Sequence, residues 1–267
     1  MILALLAVGA IGGFLSGMFG VGGGIVMVPL LLWLARMDQR QAAATSLVAI
    51  VPTAIVGSIL YGVGGEVDWL AALLIGAGTI VGAPIGAWLL RTLPLAWLRW
   101  LFIVGLAAAA VYLILVTPER GGSLDLSVGV VAGLVGLGLV MGLAAGMFGI
   151  GGGIIAVPVL IALFGMGDLL AKGTSLLAMI PASIAGTIPN LRAGLVRLRD
   201  GLVVGLAAVL ASSGGVAMAF LVPPALASVL FGLLLVFVVA QLSVRAVRLQ
   251  AREKREREGD GPGEGSE

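Results

Sequence analysis

Two glycine triplets, Gly22-Gly23-Gly24 and Gly151-Gly152-Gly153, are the residues of this chain best suited to hold an anion. Each stands directly before a short apolar run that reads as a helix, residues 25–35 and 154–164. The first N–H groups of a helix have no intrahelical acceptor, and the helix dipole makes that end positive. Glycine has no Cβ, so a ligand can come close to those groups. The competing reading is close helix packing, which needs a glycine only every fourth residue along one face. Gly9, Gly13 and Gly17 have that spacing, as do Gly78, Gly82 and Gly86. Consecutive triplets do not, which favours the binding reading for them. On that reading Leu at Gly23 or Gly152 removes binding and spares the fold.

Thr45, Ser46, Thr174 and Ser175 come next. Their hydroxyls could complete an anion's shell without adding charge. The alternative is that each bonds back to its own helix carbonyl. Pro52 and Pro181 fall within apolar runs and read as kinks. Pro29 and Pro158 end or kink the short helices. Lys172 could draw an anion inward, but reads better as a helix end. Asp38, Glu66, Asp68, Glu119, Asp125, Asp168 and Asp200 read as loop residues, so no carboxylate is expected within a span. Transporters that couple to protons usually place carboxylates or histidines in the membrane. The chain has no His and no Cys. That excludes disulfides, thiol chemistry, the commonest metal ligand and the usual neutral-pH proton shuttle. No catalytic residue, metal site or cofactor is expected, because no nucleophile–base pair or ligand cluster falls in the apolar runs.

The elements that hold these residues are set by composition. Of 267 residues, 60% are hydrophobic and 10% charged, with a mean hydropathy of +1.21. Soluble domains carry roughly 25% charged residues. Apolar runs long enough to cross a bilayer recur throughout, so the fold class is an all-α polytopic membrane protein. The lipid bilayer is its first partner. A net charge of +2 does not point to nucleic acid.

The chain repeats itself. Gly17 to Leu31 and Gly146 to Leu160 are identical at eleven of fifteen positions, at an offset of 129. The offset also pairs Thr45-Ser46-Leu47 with Thr174-Ser175-Leu176, Pro52 with Pro181, Gly65 with Gly194 and Pro94 with Pro223. Apolar segments fall at 2–19, 25–35, 42–61, 69–90 and 97–116, then at 127–148, 154–164, 173–189, 201–222 and 226–244. The expected organisation is a first transmembrane repeat over 1–121, a second over 122–244, and a charged, largely disordered tail over 245–267. The run 2–19 belongs to the repeat, so it is not expected to be a cleaved signal. The second segment of each repeat reaches only about 16 Å as a helix, against a hydrocarbon core of about 30 Å. Each repeat therefore opens with a glycine-tipped broken helix or hairpin, giving 8–10 membrane segments.

Basic residues orient the spans. With the tail cytoplasmic and ten segments, thirteen of the fifteen Lys and Arg fall inside, and only Arg120 and Lys172 fall outside. Merging each hairpin into one span moves Arg36, Arg40, Arg91 and Arg99 outside, against the rule. Both termini are thus expected in the cytoplasm. Five segments per copy is odd, so the two repeats are expected to be inverted. Inverted repeats with broken helices build many secondary transporters.

The doubled Gly-x-Phe-Gly-[Val/Ile]-Gly-Gly-Gly motif, each copy leading to Val-Pro-[Leu/Val]-Leu, resembles the TauE/SafE sulfite exporter family. So do Ala42-Ala43-Ala44-Thr45-Ser46 and Gly65-Glu66-Val67-Asp68-Trp69. The second copy has Gly194-Leu195-Val196-Arg197 where the first has Gly-Glu-Val-Asp, so the acidic position is not doubled. The resemblance implies an inner-membrane permease, often an exporter, for sulfite, organosulfonates or related carboxylate anions. An anion channel on the same scaffold, or a non-transporting membrane assembly protein, are the rival readings.

Overall fold

A computed structural model of the chain describes residues 1–94 and 127–259, with residues 97, 100, 103–105, 107–108 and 110–111 between them. The fifth apolar segment of the first copy falls mostly outside the described residues. The linker 117–125 and residues 260–267 of the tail fall wholly outside them.

The elements are α1 (Ile2–Phe19), α2 (Gly24–Leu34), α3 (Gln39–Val63), α4 (Trp69–Thr92), α5 (Val128–Phe148), α6 (Gly153–Ala162), α7 (Asp168–Arg192), α8 (Leu198–Leu221) and α9 (Pro224–Gly259). Among the described residues, seven of these are long and apolar enough to span a membrane; α2 and α6 are not. No strand occurs among the described residues. The molecule is the all-α polytopic membrane protein that its composition demands.

Local chemistry sets the helix ends. α1 stops at Gly20 and α5 at Gly149, both left-handed, with φ of 69° and 70°. Asp38 and Gln41 form a reciprocal capping box at the start of α3. Asp68 accepts from the N–H of Ala71 to cap α4. Pro29 and Pro158 lie inside α2 and α6. The charged segment that begins the tail continues α9.

The two copies interlock. α1 packs on α8 and α4 packs on α5, so the first helix of each copy lies against the fourth of the other. Glycines make both contacts close. A Cβ added to Gly9, Gly13 or Gly17 would land on the carbonyl oxygen of Val204, Ala208 or Ser212. One added to Gly78, Gly82 or Gly86 would land on that of Val135, Leu139 or Leu143. Every fourth residue is bare on one face, so backbones meet directly, as in other small-residue membrane interfaces. This framework leaves α2, α3, α6 and α7 to form the interior.

Candidate functional site

The two glycine tips meet at the centre of the fold. A Cβ on Gly24 would strike the Gly149 carbonyl and lie 2.5 Å from Cα of Ile150. Reciprocally, a Cβ on Gly153 would lie 2.8 Å from the Gly20 oxygen and from Cα of Val21. The tips are built from left-handed backbone: φ is 76° at Gly22, 72° at Gly23, 73° at Gly151 and 83° at Gly152. L-residues lose about 1–2 kcal/mol in that region. Gly23 and Gly152 are the N-caps of α2 and α6. Among the described residues, the N–H groups of Gly22, Gly23, Gly24 and Ile25 donate to no acceptor, and neither do those of Gly151, Gly152, Gly153 and Ile154.

The glycines of one triplet are not equivalent. A Cβ on Gly23 would hit the Gly12 carbonyl, and one on Gly152 would lie 2.5 Å from the Met141 carbonyl oxygen. These two glycines admit the backbone of their own hairpin. The expectation that Leu there spares the fold is therefore corrected: both positions are structural as well. Gly22 and Gly151 face inward instead, each toward Ile50 and Met179. Those two side chains are fully buried and are related by the same 129-residue offset. They close the junction with flexible apolar groups, a feature that sequence reasoning missed.

Ser46 and Ser175 tie the junction together across the copies. The Ser46 hydroxyl donates to the Gly149 carbonyl and also lies 2.9 Å from the Ala43 carbonyl of its own helix. The Ser175 hydroxyl donates to the Gly20 carbonyl and also lies 3.1 Å from that of Lys172. The back-bond to the serine's own helix is present at both positions, and each hydroxyl also donates to the opposite tip, an acceptor that neither sequence reading anticipated. Thr174 accepts a 2.9 Å hydrogen bond from the backbone N–H of Asp68. Thr45, its repeat partner, lines a cavity instead.

Asp168 differs from its sequence assignment to a loop, whereas Lys172 lies near a helix end as its reading has it. Asp168 is the first residue of α7, and Lys172 lies one turn further in. Both are buried, and the ammonium sits 2.9 Å from each carboxylate oxygen. A Cβ on Gly20 would touch the Lys172 stem at 2.6 Å, so the pair packs against the first tip. Removing one member of a buried pair takes that counter-charge from the other. Asp168→Asn is expected to destabilise the protein by about 3–5 kcal/mol. The double replacement Asp168→Leu/Lys172→Met is expected to cost much less, because both charges leave together. Thermal unfolding of the purified protein distinguishes these outcomes. Among the described residues no group of three or more Asp or Glu is placed to hold a metal ion.

A helical membrane bundle with two broken helices meeting at its centre defines a transporter-like architecture. The family model for the sulfite exporter TauE/SafE matches residues 1–113 and 134–263, and the chain belongs to that family. It is a membrane transporter of the TauE/SafE type. It is 27% identical over 218 residues to the probable membrane transporter protein YunE of Bacillus subtilis strain 168, covering 71% of this chain and 78% of YunE. It is 30% identical over 204 residues to a probable membrane transporter protein of Xylella fastidiosa strain Temecula1, covering 73% of this chain and 76% of the relative.

Proposed function

We propose that the chain is a permease, in the exporter direction, for a small anion such as sulfite, an organosulfonate or a related carboxylate. Alternating access at the interface of two inverted repeats moves the anion. The protein sits in the inner (plasma) membrane with both termini cytoplasmic. One observation carries the reading: two glycine tips with undonated N–H groups touch at the centre, each held by a serine from the opposite copy. Preorganised N–H donors at helix starts suit an anion. The reciprocal contacts are those of two halves related by a two-fold axis, and the distribution of basic residues along the chain favours the inverted arrangement. Ile50 and Met179 cover the donors, so substrate must displace these side chains to reach the backbone. The description of the family as a sulfite exporter supports the substrate class.

Flux of labelled sulfite, taurine and acetate in proteoliposomes tests the reading. A permease shows saturating flux and counterflow for at least one of them. Linear flux without counterflow identifies a channel. Absence of flux, together with absence of any anion-dependent thermal shift, identifies an assembly protein and ends the proposal.

A further inference from the structure

The two ends of the central junction are not alike, although the repeat makes their residues correspond. On one end the loop 64–68 is docked over α7. The Asp68 N–H bonds Thr174, and Glu66 rests its carbonyl on Gly173, where a Cβ would collide with it. Tyr61 reaches across to the Gly17 carbonyl at 2.8 Å and packs on Phe220 with ring centroids 5.6 Å apart. On the other end Thr45 still matches Thr174, but the residues that dock the loop are changed. Ala44 replaces Gly173, so its methyl occupies the place where a carbonyl docks on the first end. Asn190 replaces Tyr61 and bonds its own helix at Gly186, leaving its buried Oδ1 without a partner. The loop 193–197 stands off Thr45, and a cavity of about 340 Å³ remains there.

The polar residues lining that cavity are Arg36, Gln41, Thr45, Arg197 and Asp200, with apolar residues such as Met37 and Val196 between them. Arg36 and Arg197 make no ion pair among the described residues. Two guanidiniums against one carboxylate leave a net positive lining. Arg40, beside Gln41 in the chain, has its Nε buried with no partner. Arg36 also has φ of 54° and is the only non-glycine residue with positive φ among those described. The repeat places Gly165 at the corresponding position, with φ of 65°. The turn suits glycine, and the second copy uses it. An arginine placed there at a backbone cost points to a use for its side chain. Buried, partnerless polar groups continue inward along one face of α7, from Asn190 through Thr187 to Ser183. The N–H of Leu195, which lines the cavity, bonds the Asn190 carbonyl, so the cavity and that face adjoin.

We propose that the cavity between Arg36, Arg197 and Thr45 is the entrance site for a small oxyanion, open on the arginine-bearing face while the docked 64–68 loop shuts the other. The proposal rests on the permease reading and adds the place and side of first binding. The guanidiniums meet the charge, the Thr45 hydroxyl donates, and the polar face of α7 leads toward the tips. Gly173 lets one end close tightly, and Ala44 keeps the other end open in this structure.

The test uses the full chain, which has no native cysteine. Cysteine is introduced at Thr45 or, as a second variant, at Gln41, and at Thr174 as comparison. Labelling by a membrane-impermeant thiol reagent is followed in inside-out and right-side-out vesicles, with sulfite or inorganic sulfate as probe. Thr45→Cys should label from the arginine-bearing face at least tenfold faster than Thr174→Cys labels from either face. Millimolar sulfite should slow it. Arg36→Gly should leave the melting temperature equal to or above wild type, since glycine fits the turn. It should nonetheless raise the sulfite concentration needed for protection, and the KM of flux, at least tenfold. Arg36→Lys should recover part of this. If flux saturates but sulfite leaves Thr45→Cys and Gln41→Cys labelling unchanged, the entrance site is wrong and the permease reading stands. If Thr174→Cys labels as fast as Thr45→Cys, the assignment of open and shut faces is wrong. If no anion is transported at all, both fall together.

Discussion

Gly82→Leu is expected to yield no monodisperse protein, while Gly136→Leu on the neighbouring helix is expected to be tolerated. Gly82 sits in α4 where a Cβ would strike the Leu139 carbonyl and lie 2.9 Å from the Leu143 amide nitrogen of α5. These are backbone atoms and cannot rotate aside. Even Ala requires the two helices to separate, an overpacking cost of about 1–3 kcal/mol. Leu must push them apart along the whole Gly78-Gly82-Gly86 face, and the reciprocal contacts of Gly138 and Gly146 with the Ile75 and Ala83 carbonyls are lost with it. Gly136 is in the same helix as Leu139, but a Cβ there meets nothing within 4 Å. Leu at Gly136 also gains helix propensity, about 1 kcal/mol relative to Gly. Size-exclusion profile and thermal unfolding report both variants. A well-folded Gly82→Leu would show that the α4–α5 interface does not hold the copies together.

That contrast also shows what a sequence can carry. Four-residue spacing identified the packing glycines, because a helix returns to the same face at that interval. The structure finds every one of them on a backbone carbonyl or amide. Inside the triplets the same logic stops. Gly22 and Gly23 are neighbours with nearly equal φ, 76° and 72°, yet one faces Met179 and the other abuts Gly12. Periodicity does not resolve the direction of successive residues in a left-handed turn. The serines were legible as hydroxyls near the tips, but their acceptors lie 103 and 155 residues away in the chain. Only the interlocking of the copies brings them together. The Asp168–Lys172 pair was masked by its position near a segment boundary, where charges usually mean solvent. Ile50 and Met179 were hidden among many apolar residues; their shared offset was the one available signal.

Removing both tethering hydroxyls, Ser46→Ala with Ser175→Ala, is expected to abolish anion flux in protein that still folds. Each serine supplies the donor to a carbonyl, Gly149 or Gly20, that no backbone N–H reaches among the described residues. The competing acceptors, Ala43 and Lys172, lie within α3 and α7 and keep their helical partners when the hydroxyl goes. The loss therefore falls on the tip. A buried carbonyl left without a donor costs about 1–3 kcal/mol. Each single variant should lower thermal stability by that order and reduce flux at least tenfold, because a displaced tip no longer presents its N–H groups to the opposite one. Ser46→Thr and Ser175→Thr keep the hydroxyl and should recover much of the flux. The two serines hold one junction from opposite sides, so their effects should not add; residues sharing a network couple by about 0.5–3 kcal/mol. Glycine packing between α1 and α8 and between α4 and α5 lies elsewhere and should keep the double variant monodisperse. Wild-type flux in the folded double variant would mean that the serine tethers are dispensable and that the contact between the glycine tips does not set the transport site.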